Sequence, residues 1–110
     1  MPQDTSSLRL PPAIATYFTA GDSAALTAAF SANAVVQDEG QEMRGHDAIL
    51  AWRRETTAKY QPRFVPLTAT EQDGKTVVTA EVSGTFPSSP AKLDFTFTLH
   101  DGKIAALEIH

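Results

Sequence analysis

The sequence predicts an α+β fold: a strongly bent, mainly antiparallel sheet wrapped as a conical barrel on three N-terminal helices. Three observations predict it. Apolar residues recur at helical spacing in three early segments. One short apolar run, Val35–Asp38, separates the second of these from the third. From Arg63 onward the apolar period changes to two, with hairpin signals at Asp73-Gly74 and Asp101-Gly102. A bent sheet must wrap around something. Helices are therefore expected on its concave side, with a cone-shaped cavity left between the layers.

Each element has a local reason. Residues 1–11 are mostly polar and read as a loose N-terminal arm of a single domain spanning 1–110. Pro11-Pro12 sets up a first helix over 12–20, because proline is tolerated in the first turn. Ile14, Tyr17, Phe18 and Gly21 share one face, and Gly21 stops the helix. Asp22 is a good N-cap for a second helix, Ser23–Phe30, whose buried stripe is Leu26, Ala29 and Phe30. The strand Val35–Asp38 turns at Glu39-Gly40-Gln41, and Glu42–Arg44 returns beside it. Gly45 breaks that strand.

A third helix covers about Asp47–Lys59, with Asp47 near the positive end of its dipole. Its inner face reads Ile49, Trp52, Thr56 and Tyr60, with Arg53 at the margin. Glu55 and Lys59 form a supporting surface pair, and Pro62 ends the helical region. Strands follow over 63–72 and 75–86. Pro66 marks either a bulge or an unpaired edge, because it has no N–H to donate. After a Pro/Ser loop, Leu93, Phe95, Phe97 and Leu99 alternate with Asp94, Thr96, Thr98 and His100. A last strand runs from Lys103 to His110.

Composition narrows the function. A net charge of -4 and a pI near 5.2 exclude the basic face that nucleic-acid binding needs. No apolar run approaches the roughly 18 residues that span a membrane. No signal peptide is visible and cysteine is absent, which fits a cytoplasmic protein without disulfide or thiolate chemistry. His46, His100 and His110 are too scattered to converge on a metal, and no nucleophile elbow or glycine-rich phosphate loop is present. No metal and no cofactor are expected.

The helix ending in Ala20-Gly21-Asp22, Phe30 ahead of Asn33-Ala34-Val35-Val36, then Gly45 with Ala48-Ile49, and the closing Asp101-Gly102-Lys103-Ile104 occur in an order that resembles the nuclear transport factor 2-like superfamily. The resemblance runs from Pro12 to His110 and is nearest to the SnoaL-like branch, related to ketosteroid isomerase and small polyketide cyclases. It implies a cystatin-like topology, a cavity within the core, and homodimers paired through the sheet. In ketosteroid isomerase an aspartate at the end of the early strand is the general base, and Asp38 falls at that place. The isomerase's oxyanion-binding tyrosine falls on Ile14, which cannot donate. Its second acid falls on Leu93 or Asp94, and the strand alternation turns Leu93 inward. The electrophilic half of an isomerase site is thus missing.

Candidate residues follow. Asp38 is the candidate catalytic base: at the mouth of an apolar cavity, desolvation would raise its pKa. Otherwise it caps the turn at Glu39-Gly40, or pairs with Arg44 or Arg53. The candidate ligand-binding set is Ile14, Tyr17, Phe18, Phe30, Val36, Trp52, Tyr60, Phe95 and Phe97, which doubles as plain core. Tyr17 either meets the ligand or faces the sheet edge or a partner subunit. His110 either reaches the cavity or frays at the terminus. The expected function is binding of a small apolar or aromatic molecule, oriented by Asp38. The alternatives are an isomerase, cyclase or dehydratase in which Asp38 removes a proton next to a carbonyl, and a protein-interaction module with a filled cavity. The threonine-rich sheet face with Glu81, Ser83 and Thr85 is either solvent-facing or the dimer surface.

Overall fold

The computed structural model describes residues 10–20 and 22–110. The N-terminal arm, apart from its last residues, and the helix-stopping role of Gly21 lie outside them. In chain order the elements are α1 (Pro12–Thr19), α2 (Ser23–Ala29), β1 (Phe30–Asp38), β2 (Gln41–Arg44), α3 (His46–Tyr60), β3 (Arg63–Gln72), β4 (Lys75–Ser83), β5 (Ala91–His100) and β6 (Lys103–Ile109). The fold is α+β, with three helices and one six-stranded mixed sheet of order β2-β1-β6-β5-β4-β3. The sheet is not closed: β2 and β3 are its two edges. No helix among the described residues is long and apolar enough to cross a membrane.

Three strand pairs are joined by two-residue turns at Glu39-Gly40, Asp73-Gly74 and Asp101-Gly102. Both residues of each have positive φ, 52° and 77° at the first of them. That is the mirror-image turn whose twist matches paired strands, and it favours Asp or Asn followed by Gly. Pro66 has both predicted features. It lies on the edge strand β3, and the pairing with β4 shifts between Pro66 and Thr68.

Three boundaries differ from expectation. The second helix stops at Ala29, and Phe30 is already extended (φ -100°, ψ 145°) and paired with Ile104 of β6. The early strand is therefore longer than Val35–Asp38, and the irregular pairing between Phe30 and Val35 hid its start from a simple period. β4 ends at Ser83 rather than residue 86, because the Gly84 N–H bonds Ser89 Oγ at 2.9 Å and the chain folds back. β1 also lies parallel to β6 in the middle of the sheet.

One sheet face carries the core. Val78 pairs with Phe95, Thr76 with Phe97 and Phe97 with Leu107, and all of them are buried. Ala13, Ile14 and Tyr17 from α1, Leu26 and Ala29 from α2, and Ile49 from α3 pack against that face. In β1, Ala34 and Val36 are both fully buried. Asp38, two residues on, faces the same side by strand alternation.

Candidate functional site

A cavity of about 530 Å³, partly open to solvent, lies between α3 and the inner sheet face. Its walls are mainly apolar: Phe64 from β3, Val82 from β4, Leu93 and Phe95 from β5, Ile109 from β6, and Phe86 from the loop after β4. Helix α3 supplies Trp52, Arg53, Thr56 and Tyr60, and α1 supplies Tyr17. The volume falls in the range of small-molecule sites.

Asp38 is the polar group at one side. The parallel β1–β6 pairing brings the end of β1 next to Ile109 and His110, which also line the cavity. The Trp52 Nε1–H donates to Asp38 Oδ2 at 3.1 Å. Burial raises the carboxyl above its usual range, the indole bond pulls it partly back, and the neighbouring Glu39 charge pushes it up again. Asp38 makes no ion pair among the described residues: Arg44 pairs with Glu42 at 3.0 Å, and Arg53 is engaged elsewhere.

Tyr17 is 1% exposed and faces inward, not toward the sheet edge. Its ring packs edge-on against Phe18, Phe30 and Phe97, at centroid distances of 5.1, 6.1 and 5.5 Å. Burial pushes its phenol up to about 12, with the nearby Arg53 charge pulling the other way. The Arg53 guanidinium lies over the Tyr17 ring at 4.8 Å and the Phe64 ring at 5.3 Å, a favourable cation–π arrangement. At the rim, Tyr60 packs edge-on against Phe86 at 5.8 Å.

Of the predicted set, the structure brings together Asp38, Tyr17, Trp52, Tyr60 and Phe95. Ile14, Phe30, Val36 and Phe97 are not among the residues that line this cavity and are buried in the core. Phe18 instead lines a second cavity of about 610 Å³, together with Leu26, Leu50, Phe64 and three arginines, Arg53, Arg54 and Arg63. Residues not singled out as ligand contacts include Arg53, Phe64 and Phe86. Arg53 was detectable, since Ile49, Arg53, Thr56 and Tyr60 follow strict helical spacing. Phe86 had no such signal in a Pro/Ser loop. Of the histidines, His46 Nε2 lies 3.0 Å from the Phe30 carbonyl oxygen and His100 lies 3.4 Å from Asp101. Among the described residues no three His, Cys, Asp or Glu side chains gather to hold an ion.

The family model for the SnoaL-like domain matches residues 13–107, nearly the whole chain. This chain belongs to the SnoaL-like domain family. Its fold superposes with a TM-score of 0.88 on a candidate polyketide cyclase from Sinorhizobium meliloti, at 40% identity over 92% of this chain and 95% of that one. Two more distant structures share the fold. A protein from Catenulispora acidiphila with a ketosteroid isomerase-like fold, in complex with trimethylamine, has TM-score 0.74 and 19% identity over 90% and 82% of the two chains. A protein of cystatin-like fold from Methylobium petroleophilum has TM-score 0.77 and 15% identity over 90% and 72%. No curated protein matches the sequence.

In this SnoaL-like domain the isomerase correspondences separate cleanly. Ile14 is sealed in the core, while Tyr17, one turn further along the same helix, reaches the cavity. Leu93 is a wall residue. Asp94 points away and accepts from Thr79 Oγ1 at 2.7 Å.

The raised Asp38 pKa has a consequence for stability. Because the folded value exceeds the unfolded one, the native state holds the proton longer. The domain therefore loses stability as pH rises from about 4 through the folded-state pKa, and the cost is constant above it. Asp38→Asn removes the charge and keeps an acceptor for Trp52. Its melting temperature should match the parent below about pH 4 and run higher at neutral pH. A melting difference that does not vary with pH would show that Asp38 is not desolvated.

Proposed function

We propose that this SnoaL-like domain binds a small apolar or aromatic molecule in the cavity between α3 and the sheet, with Asp38 fixing its polar end. One observation carries the reading. The carboxyl is partly buried, lies in an otherwise mainly apolar open cavity, and is held by an indole N–H rather than by a cation. A desolvated carboxyl without a counter-ion is costly to maintain, which favours a use for it. A cavity left unfilled by the described side chains argues against the interaction module.

The test is thermal stability against a panel of apolar carbonyl compounds and aromatic acids. A ligand at about 100 times its dissociation constant stabilises by roughly 2.7 kcal/mol. That is a rise of several degrees for a domain of this size. Absence of any rise across the panel at millimolar concentration counts against the reading.

A second reading has its own support. Asp38 as a general base, removing a proton next to a carbonyl, is favoured by the raised pKa and by Arg53 and Tyr17 in the same cavity. The 40%-identical candidate polyketide cyclase agrees with that class of chemistry. The base must be ionised, so turnover would rise with pH through a midpoint above the usual carboxylate range.

We also propose that the domain pairs with a second copy through the outer sheet face. Thr96 and Thr98 lie opposite the buried Phe95 and Phe97, Thr96 is flanked by Val77 and Glu108, and the apolar Val65 and Leu67 of β3 are 43% and 40% exposed. Sedimentation equilibrium decides: a monomer at all micromolar concentrations would rule the pairing out.

A further inference from the structure

The cavity contains a cation, Arg53, that makes no ion pair with any carboxylate among the described residues. Arg53 is partly buried on α3, among apolar walls. Its Nη2 donates to the Tyr17 carbonyl oxygen at 3.3 Å. Its Nη1 is shielded from solvent and has no hydrogen-bond partner. Among the described residues the ion pairs are Arg44–Glu42 and His100–Asp101, so no carboxylate reaches Arg53. An orphaned buried donor on a charged group is costly, and a charge away from water costs more unless it is paired.

The surroundings also fix the orientation of the group. The guanidinium carbon lies 4.8 Å from the Tyr17 ring centroid and 5.3 Å from that of Phe64, which confines the group between two rings. A planar, pre-oriented fork suits a planar carboxylate, which accepts two parallel N–H bonds. The cavity wall includes Arg53 as its one lysine or arginine, alongside the acids Asp38 and Glu39.

We propose that Arg53 is the docking point for the carboxylate of an aromatic or aliphatic organic acid bound in this cavity. The proposal rests on the cavity-binding reading above and adds the chemical class of the ligand. A small rotation of the guanidinium turns Nη1 onto the acid group, while the apolar body of the ligand lies against Phe64, Phe86, Phe95 and Leu93. Asp38 and Trp52 then meet a second polar group of the molecule, away from the acid.

The test is calorimetric binding of matched pairs: benzoate, cinnamate and 2-naphthoate against the corresponding neutral amides. The parent protein should bind at least one acid about tenfold or more tightly than its amide, the scale of one charge-assisted bond. Arg53→Met should lose the preference for the acid over its amide. Arg53→Gln, which keeps a neutral polar group of similar length, should also lose it and serves if the methionine variant folds poorly. Equal binding of acids and amides by the parent would overturn the role of Arg53 and leave the cavity reading standing. A preference that survives in both variants would overturn it too. If no acid and no amide binds, the cavity reading fails and the proposal with it.

Discussion

Phe97→Ala should cost about 3–5 kcal/mol of folding stability, the range for emptying a buried aromatic site. Phe97 is 0% exposed, and its ring lies 5.5 Å from Tyr17 and 5.8 Å from Phe18. On the sheet it sits between Thr76 and Leu107, both buried. Domains of this kind are stable by about 5–15 kcal/mol, so the loss is a large share of the total. Chemical denaturation measures it. A cost below about 1.5 kcal/mol would place Phe97 against open space rather than in the sealed layer.

Gly84→Ala is the second large effect, and it acts through the backbone. A Cβ on Gly84 would collide with the Tyr60 carbonyl oxygen and come within 3.3 Å of the Phe86 ring. The obstructing atom is backbone and cannot swing away. That carbonyl already accepts from the Thr85 N–H at 2.7 Å, tying the end of α3 to the start of the β4–β5 connection. Alanine must push the two segments apart, which separates the rim residues Tyr60 and Phe86. Overpacking of this sort costs about 1–3 kcal/mol. Ligand affinity should weaken along with stability, because the same displacement opens the rim. A variant with unchanged melting temperature and unchanged affinity would contradict the close approach of these segments.

Much of the fold was legible because local chemistry agreed with the global arrangement. The Asp-Gly turns, the Asp22 cap (its carboxylate accepts from Ala25 N at 2.8 Å) and the two-residue period of β5 each specify one element. Asp38 was legible as the carboxylate that ends the early strand. What could not be read was long-range. The parallel seat of β1 beside β6 comes from packing across the whole chain, and no local signal encodes it. That pairing places Asp38 near Ile109 and His110. The same limit explains why Ile14, Phe30, Val36 and Phe97 were grouped with the cavity wall. Periodicity tells inside from outside, but not a sealed layer from a lined gap. Arg53 was set at the margin of the third helix's inner face, whereas two aromatic rings and a carbonyl hold it inward.

Trp52 gives the most direct test of the central claim, that the cavity beside Asp38 is a binding site. It is the only tryptophan in the chain, it lines the cavity, and its N–H bonds Asp38. Its emission should therefore report occupation of this cavity. The measurement is a fluorescence titration with the non-absorbing compound that raises the melting temperature most. A saturable change in Trp52 emission, at a dissociation constant matching the thermal data and altered in Asp38→Asn, is the predicted result. Stabilisation with Trp52 emission unchanged up to saturation would place the ligand elsewhere and contradict the account.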